Sequence, residues 1–171
     1  MDFSYAGIGS RSTPPDVLAS MTPIATHLAK QGWTLRSGGA DGADMAFEKG
    51  CDVVHGDKRI FLPWRGFNKN LSPLYTPHNE AFKMAARIHP AWHKLTRGGK
   101  ALHARNCHQI LGEALNDPVS LVVCWTPGGK ATGGTATAIH LAEQYRIRII
   151  NLATQIFPLE QFTKENNNGT N

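Results

Sequence analysis

Apolar segments alternate with glycine-rich and proline-rich segments along most of the chain. Short apolar runs predict strands at residues 3–8, 33–36, 59–63, 119–125 and 147–152. Segments whose apolar residues recur every three or four positions predict helices at about 14–30, 43–49, 79–88, 99–115 and 135–145. The run at 119–125 is almost continuously apolar, which is typical of a central strand in a parallel sheet.

Strands that alternate with helices predict an α/β fold with a doubly wound, mostly parallel sheet of about five strands and helices on both faces. We expect a single domain at residues 1–162 and a flexible C-terminal tail at 163–171. In sheets of this kind a ligand binds outside the carboxyl ends of the strands, where the strand order reverses. The glycine-rich loops after the first, second and fourth strands therefore form the candidate site.

The composition of the 171 residues, 41% hydrophobic and 18% charged, indicates a globular protein and not a disordered or fibrous one. The longest apolar runs are too short to span a membrane, and the first residues lack the layout of a signal peptide. We therefore expect a cytoplasmic protein without a membrane partner. Three widely spaced cysteines without a Cys-x-x-Cys motif argue against a disulfide framework and a zinc site, so we expect no metal and no cofactor.

Positive charge is concentrated in the middle of the sequence. Residues 58–112 contain ten Lys or Arg residues and one acidic residue, Glu80, whereas acidic residues outnumber basic ones on both sides. Such a block indicates an anionic partner, either a phosphorylated small molecule or a nucleic acid. A solvated basic face has the same composition, so the charge alone does not decide between these interpretations.

The loop after the first strand reads Gly7-Ile8-Gly9-Ser10-Arg11. Its glycines allow the backbone to approach a ligand closely, and the Ser10 hydroxyl and Arg11 guanidinium suit a phosphate group. The third glycine of the dinucleotide-binding fingerprint is missing, and a tight strand-to-helix turn would have the same pattern.

The loop after the second strand, Ser37-Gly38-Gly39-Ala40-Asp41-Gly42-Ala43-Asp44, leads into a helix whose N-terminus is a ready anion site. Asp41 is expected to cap that helix, to meet a sugar hydroxyl or to act as an acid or base. Asp44 is expected either to meet the sugar or to act as an acid or base.

The loop at 126–135 is the strongest phosphate-binding signal in the chain. It contains four glycines, three threonines and Lys130 before a helix start. Successive backbone N–H groups and the helix dipole favour a phosphate there, although a flexible loop has a similar composition. The Gly-Lys-Ser/Thr ending of a Walker A loop is absent.

The helix at about 99–115 carries Arg105, Gln109 and Glu113 at spacings of four, which predicts one polar face. From that face Arg105, together with Asn106, could reach a ligand phosphate, but an exposed polar ladder would have the same spacing. The predicted ligand-binding residues are Gly7, Gly9, Ser10, Arg11, Ser37, Gly38, Gly39, Asp41, Arg105, Asn106, Pro127, Gly128, Gly129, Gly133, Gly134 and Thr135.

These loops resemble those of a known superfamily. The segments Tyr5-Ala6-Gly7-Ile8-Gly9-Ser10-Arg11, Ser37-Gly38-Gly39-Ala40-Asp41-Gly42-Ala43-Asp44 and Thr132-Gly133-Gly134-Thr135-Ala136-Thr137-Ala138 resemble successive pocket loops of the Rossmann-like SLOG superfamily, most closely its DNA-processing DprA/Smf branch. The resemblance covers residues 3–152 and implies a single SLOG/DprA-like Rossmann domain with the three loops around one pocket. It also implies single-stranded DNA as an alternative partner.

The same superfamily includes the Lonely Guy phosphoribohydrolases, whose Pro-Gly-Gly-x-Gly-Thr-x-x-Glu signature is partly echoed by Pro127-Gly128-Gly129 and Gly134-Thr135. The position of their catalytic Glu is Ala138 here, and Arg105 lies in a context that resembles their catalytic Arg. Whether this chain is an enzyme is therefore open. If it cleaves an N-glycosidic bond, Asp44 and then Glu113 are the candidate carboxylates, with Arg105 beside them.

The main hypothesis is a small protein that binds a phosphorylated nucleoside or an ADP-ribose-type ligand at the glycine-rich loops. The alternatives are an N-glycosidic-bond hydrolase and a single-stranded DNA-binding protein. The last would use the basic segment with Trp64, Trp92 and Phe67 as stacking surfaces. A homo-oligomer is compatible with all three hypotheses.

Overall fold

Strands and helices alternate as the sequence predicts. The computed structural model describes residues 3–163, so nearly all of the predicted C-terminal tail lies outside the described residues. The strands are β1 (Ser4–Gly9), β2 (Thr34–Ser37), β3 (Lys58–Ile60), β4 (Leu121–Trp125) and β5 (Arg148–Asn151). The α-helices are α1 (Pro15–Lys30), α2 (Ala43–Asp52), α3 (Asn79–Ile88), α4 (Arg97–Leu111) and α5 (Ala136–Gln144). None of these helices is long and apolar enough to cross a membrane.

The five strands form one parallel sheet in the order β3-β2-β1-β4-β5. In its centre, Tyr5 of β1 lies opposite Leu35 of β2 on one side and Leu121 of β4 on the other. Helices α1 and α2 pack on one face of the sheet, and α3, α4 and α5 pack on the other. The predicted doubly wound α/β fold is therefore confirmed. The strand order reverses between β1 and β4, and the carboxyl ends of the strands at such a point are where a fold of this kind forms its ligand-binding crevice.

The two central strands serve both halves of the core. Tyr5 and Val123 face α1 and α2, whereas Ala6 and Val122 face the opposite helix layer. Successive side chains of a strand point to opposite faces, so a sheet covered on both sides needs apolar residues at every position. This requirement explains the almost continuous apolar run of β4.

Helix α2 extends further than the sequence predicts. The predicted helix stops at residue 49, but Gly50 lies inside α2, where α1 crosses closely. A Cβ atom on Gly50 would lie 2.1 Å from the backbone oxygen of Thr22 in α1. The hydroxyl of Thr26 donates to the Gly50 carbonyl at 2.7 Å. The glycine is therefore required by the helix crossing and does not act as a helix stop.

Helix α4 begins and ends earlier than predicted. It begins at Arg97 because the Thr96 hydroxyl accepts a hydrogen bond from the Gly99 N–H at 3.1 Å, as an N-cap does. It ends at Leu111, and Gly112 follows with φ of 75°. The prediction that Glu113 continues the polar face of this helix is wrong, because Glu113 lies beyond its end.

The segment at 64–78 is irregular and is fixed by side-chain hydrogen bonds to the rest of the fold. Asn68 Nδ2 donates to the Gly39 carbonyl at 3.0 Å, and Asn70 Nδ2 donates to Glu48 Oε2 at 3.1 Å. Residues 64–70 lie next to the loop after β2, and we call them the lip. The lip places aromatic side chains beside the crevice.

Candidate functional site

The loops after β1 and β2 lie in direct contact. The Ser10 N–H donates to the Trp125 carbonyl of β4 at 3.1 Å, which also holds the end of β1 to β4. A Cβ atom on Gly9 would lie 2.7 Å from the Cβ of Ala43, and one on Gly42 would lie 3.2 Å from the Arg11 backbone. Only glycines allow these loops to approach so closely. The structure thus brings the first and second predicted loops together.

Arg105 is a buried brace between α4 and the loop after β2. Its Nη1 donates to the carbonyls of Gly38 and Phe61, the second at 3.3 Å. A Cβ atom on Gly38 would lie 2.4 Å from this Nη1, so the glycine makes room for the guanidinium. Nη2 makes no hydrogen bond with any other residue in the range 3–163. The Arg105 guanidinium therefore has one nitrogen whose donors no described residue uses.

Asn106 extends the same connection to the third loop. Its Oδ1 accepts a hydrogen bond from Arg105 Nε at 3.1 Å, and its Nδ2 donates to the Gly134 carbonyl. Adjacent residues of α4 therefore tie the loop after β2 to the loop after β4. The expectation that Arg105 and Asn106 lie among the glycine-rich loops agrees with this placement.

Asp44 lies buried near Arg105 at the start of α2. Its Oδ2 accepts a hydrogen bond from the Ala40 N–H at 3.3 Å. Burial raises the pKa of this carboxyl to about 6, although attraction to Arg105 and the N–H groups of Ala40 and Gly38 oppose the shift. A carboxyl with a pKa near 6 changes its charge close to neutral pH, as an acid or base in catalysis must.

Arg11 adds a second positive charge to the same place. Burial lowers the pKa of Arg105, attraction to Asp44 raises it, and repulsion from Arg11 lowers it further. The Arg11 side chain is exposed and makes no hydrogen bond or ion pair with any other described residue. We call Arg11, Asp44 and Arg105 the crevice cluster, which carries a net positive charge when Asp44 is ionised.

The loop at 126–135 presents its backbone to open space. Cβ atoms placed on Gly128, Gly133 and Gly134 would meet nothing within 4 Å. Gly128 and Gly133 need to be glycines for another reason, since their φ angles are 62° and 66°. The start of the loop is held by Asn151, whose Nδ2 donates to the Thr126 hydroxyl at 2.7 Å. The exposed glycines and the N-terminus of α5 are accessible to an anion.

A cavity of about 440 Å³ lies on the other side of this loop, between α3, α4 and α5. His103 on its wall has Nδ1 within 2.8 Å of the Thr137 hydroxyl and its ring 4.5 Å from that of His89. Burial lowers the pKa of His103 to about 4, with smaller contributions from His89 and Arg105. His103 is therefore neutral at physiological pH. Among the described residues no group of three or more His, Cys, Asp or Glu side chains is placed to hold a metal ion.

Two carboxylates take places that differ from those expected. Glu113 forms an ion pair with Arg59 at 2.6 Å and lies past Gly112, beyond the end of α4. The structure therefore does not bring Glu113 to the crevice cluster. Asp41 is exposed, and no side chain caps α2, whose N-cap position is Gly42. The capping role proposed for Asp41 is wrong, and contact with a sugar hydroxyl stays a prediction.

The remaining predicted residues border the crevice or support it. Ser37 donates its hydroxyl to the Gly7 carbonyl at 2.6 Å and is fully buried, so it joins β2 to β1. A Cβ atom on Gly7 would lie 2.6 Å from the Phe47 ring, so this glycine serves the core. Thr135 is buried beneath the loop, whereas Pro127 is exposed at its start.

The lip supplies residues that the ligand-binding prediction did not include. The guanidinium carbon of Arg105 lies 5.8 Å from the centroid of the Phe67 ring. Phe67 in turn meets the Trp64 ring edge to face, at 5.1 Å and 86°. The aromatic residues were visible in the sequence as possible stacking surfaces, but no sequence pattern connects this irregular segment to Arg105.

Comparison with known proteins relates the chain to solved structures. No protein-family model and no curated protein sequence matches it. The chain is similar to DNA processing protein A from Helicobacter pylori, studied for its single-stranded DNA binding mode. The TM-score is 0.56 at 20% identity, over 87% of this chain and 64% of that one. It is also similar to DprA from Streptococcus pneumoniae, with a TM-score of 0.55 at 13% identity over 94% of this chain and 53% of that one.

A third similar structure is the molybdenum cofactor carrier protein from Chlamydomonas reinhardtii. Its TM-score is 0.52 at 15% identity, over 94% of this chain and 82% of that one. At identities this low, structural similarity establishes the fold alone. The three structures confirm the Rossmann-like fold that the SLOG resemblance implies. The chain spans 64% and 53% of the length of the two DprA chains.

Proposed function

We propose that this protein binds a phosphorylated nucleoside, either a nucleotide or an ADP-ribose-type ligand, in the crevice between the loops after β1, β2 and β4. The observation that carries the proposal is the crevice cluster. Arg11, which is exposed and pairs with no described residue, lies close enough to the buried Arg105 for the two positive charges to repel each other. An anion between them would relieve that repulsion and accept charge-assisted hydrogen bonds from both.

The glycine-rich loop gives the phosphate a second set of donors. Gly133 and Gly134 are exposed at the N-terminus of α5, and nothing lies within 4 Å of the positions where their Cβ atoms would be. Backbone N–H groups at a helix N-terminus favour a phosphate. The Asn106 hydrogen bond to the Gly134 carbonyl fixes this loop relative to Arg105. The arginines and the backbone donors can therefore contact one phosphate or diphosphate group together.

Binding is a better supported function than cleavage. Ala138, at the position of the phosphoribohydrolase glutamate, is fully buried, and Glu113 is paired with Arg59. Asp44 is the carboxylate that remains in the crevice cluster, and its raised pKa suits an acid or base. If the protein cleaves a nucleotide, Asp44 is the residue we assign to that step.

Single-stranded DNA is a second candidate ligand because the crevice borders the basic segment. Lys94 and Arg97 are exposed where α4 begins. Lys83 and Arg87 on α3 are 66% and 69% exposed and form ion pairs with Glu80, at 3.3 Å and 3.5 Å. The H. pylori protein with this fold binds single-stranded DNA. A DNA strand could contact the basic segment with several phosphates while one nucleotide enters the crevice.

Equilibrium binding separates these candidates. AMP, ADP-ribose, adenosine and a dT oligonucleotide are titrated into the wild-type protein by calorimetry, with chromatography of each mixture for released base. We expect AMP or ADP-ribose to bind, adenosine to bind weakly, and no base to be released. Binding of the oligonucleotide without the mononucleotides would support the DNA candidate and contradict our proposal.

Two variants sharpen the comparison. Arg11→Gln removes a charge from the crevice cluster, and the double variant Lys94→Gln with Arg97→Gln removes two charges from the basic segment. We expect the first to weaken mononucleotide binding and the second to leave it unchanged. The reverse pattern would move the phosphate site to the basic segment. If the wild-type protein releases base and the Asp44→Asn variant does not, the protein is a glycosidase.

A further inference from the structure

The lip carries an exposed aromatic ring that its structural contacts do not explain. Trp64 is 43% exposed although it is among the largest apolar side chains in the protein. Phe67 meets it edge to face, so this contact occupies at most one face of the indole ring. Its other neighbour is the start of α4, where a Cβ atom on Gly98 would lie 3.7 Å from the indole. With 43% of the side chain exposed, part of the indole ring is open to solvent.

The lip is held in a strained conformation beside the crevice. Asn68 and Lys69 have φ angles of 50° and 61°, in the left-handed region that residues other than glycine rarely adopt. The hydrogen bond from Asn68 to the Gly39 carbonyl fixes the lip to the loop after β2. Strain of this kind persists where surrounding contacts determine it, and it is concentrated at ligand sites.

Trp64 stands at a distance from the arginines that fits a nucleotide. The Trp64 and Phe67 centroids are 5.1 Å apart, and the Phe67 centroid lies 5.8 Å from the Arg105 guanidinium carbon, so Trp64 lies within about 11 Å of that guanidinium. A nucleotide whose phosphate contacts Arg105 can lay its base against an aromatic ring at that distance. Arg65, beside Trp64 on the lip, adds a further positive charge.

We propose that Trp64 is the stacking platform for the nucleobase of the ligand, and that the lip makes the crevice prefer nucleotides to simple sugar phosphates. This inference rests on the proposed function. Stacking accepts any base because every base has a π-face, so Trp64 supplies affinity for a base without selecting among bases. The same chemistry holds for a free nucleotide and for one nucleotide of a single strand.

The test compares a ligand that has a base with one that lacks it. AMP and ribose 5-phosphate are titrated by calorimetry into wild-type protein, Trp64→Leu and Trp64→Phe. We expect Trp64→Leu to weaken AMP binding about tenfold or more, the usual effect of removing a stacking ring. Trp64→Phe should keep most of the affinity, and ribose 5-phosphate should bind all three proteins equally.

Trp92→Leu is the matched control. Trp92 lies just before α4, partly buried against the core on that face of the sheet and with the Lys100 ammonium 5.7 Å from its ring centroid, and we expect its removal to leave both affinities unchanged. Repeating the titrations with a dT hexanucleotide shows whether the platform serves a free nucleotide or a strand. Thermal unfolding of each variant shows that the fold is retained.

The two proposals fail in different ways. If neither AMP nor ribose 5-phosphate binds the wild-type protein, the phosphate site itself is wrong, and the stacking proposal falls with it. If both ligands bind and Trp64→Leu changes neither affinity, the phosphate site stands and the stacking role of Trp64 is overturned. An equal loss for both ligands would mean that Trp64 supports the shape of the lip and does not contact the base.

Discussion

Single glycines at the crevice have different physical roles, and this difference can be measured. Gly134 meets no atom within 4 Å of its would-be Cβ position, and its φ angle is not positive. We therefore expect Gly134→Ala to change the free energy of unfolding by less than about 0.5 kcal/mol, as at ordinary surface sites. AMP binding should weaken, because the methyl group would stand where a phosphate approaches the backbone. Urea unfolding and calorimetry measure the two quantities.

Gly38 provides the contrast. A Cβ atom there would lie 2.4 Å from both Arg105 Nη1 and Gln109 Nε2, and these side chains are buried. Gly38→Ala should lower the free energy of unfolding by about 1–3 kcal/mol, the usual cost of overpacking. If Gly134→Ala proves as destabilising as Gly38→Ala, the open space at the third loop does not exist in solution.

Asp44 should give the protein a recognisable pH dependence. The folded state holds its proton with a pKa of about 6, whereas an unfolded aspartate titrates near 3.9. The raised pKa means that the folded state binds the proton more tightly, so stability falls as pH rises from about 4 to about 6 and is constant above. Over this window wild-type protein should lose up to roughly 3 kcal/mol relative to Asp44→Asn. Urea unfolding of both proteins at pH 4 and pH 7.5 tests this; an equal difference at both would contradict it.

The buried hydroxyl of Tyr5 allows a test of how the core beneath the crevice is packed. Its hydroxyl is buried without a hydrogen-bond partner among the described residues, and burial raises its pKa well above the usual value. Removing an unsatisfied buried hydroxyl recovers its desolvation cost, so we expect Tyr5→Phe to raise the free energy of unfolding by about 1 kcal/mol. Tyr145 is 48% exposed, and Tyr145→Phe serves as the control with no expected change. A destabilised Tyr5→Phe would reveal a partner for the hydroxyl.

At the scale of elements, α4 connects the crevice to the core. His103 on this helix should make stability depend on pH in the opposite direction to Asp44. Burial lowers the pKa of His103 to about 4, below the usual value near 6.5. The unfolded chain therefore binds the proton first, and stability is lost as pH falls from about 6.5 to about 4. His103→Gln should remove this loss, whereas His93→Gln at an exposed site should not. Unfolding curves at pH 4.5 and pH 7 distinguish the two variants.

The same helix shows where sequence periodicity reaches its limit. The spacing of Arg105 and Gln109 correctly places them on one side of α4, but it does not reveal that this side is buried against the end of β2. Helix α4 is buried on all sides because the sheet, α3 and α5 pack around it. The residue pattern of one helix does not encode these contacts. Helix α4 ends at Leu111 because Gly112 has a positive φ. The apolar pattern continues beyond Gly112, so it does not predict this helix end.

Strands were easier to predict because their signal is local. The apolar run of β4 and the glycines after β1, β2 and β4 identify a parallel sheet and the edge at which its loops gather. The lip could not be predicted, since its conformation depends on the tertiary hydrogen bond from Asn68 to Gly39 and on the contact of Phe67 with Arg105.

At the scale of the whole molecule, the topology explains why the charges meet where they do. Arg11 follows β1, Asp44 follows β2, and Arg105 comes from the helix layer on the opposite face. A doubly wound sheet brings these elements together only at the point where its strand order reverses. The basic segment at 58–112 includes the lip and α4, and it contributes Arg105 to the crevice cluster. The crevice is thus the place where fold and charge both favour an anionic ligand.

Calorimetric titration of AMP and adenosine into wild-type protein, Arg11→Gln and Lys49→Gln tests this account most directly. Both variants lose one positive charge from an exposed side chain, but Lys49 lies near the far end of α2. We predict that Arg11→Gln weakens AMP binding by about 1.5–3 kcal/mol, the scale of a charge-assisted hydrogen bond, and that Lys49→Gln leaves it unchanged. Adenosine should respond to neither change. Equal AMP affinities in wild-type protein and Arg11→Gln, or no AMP binding at all, would contradict a phosphate site in the crevice.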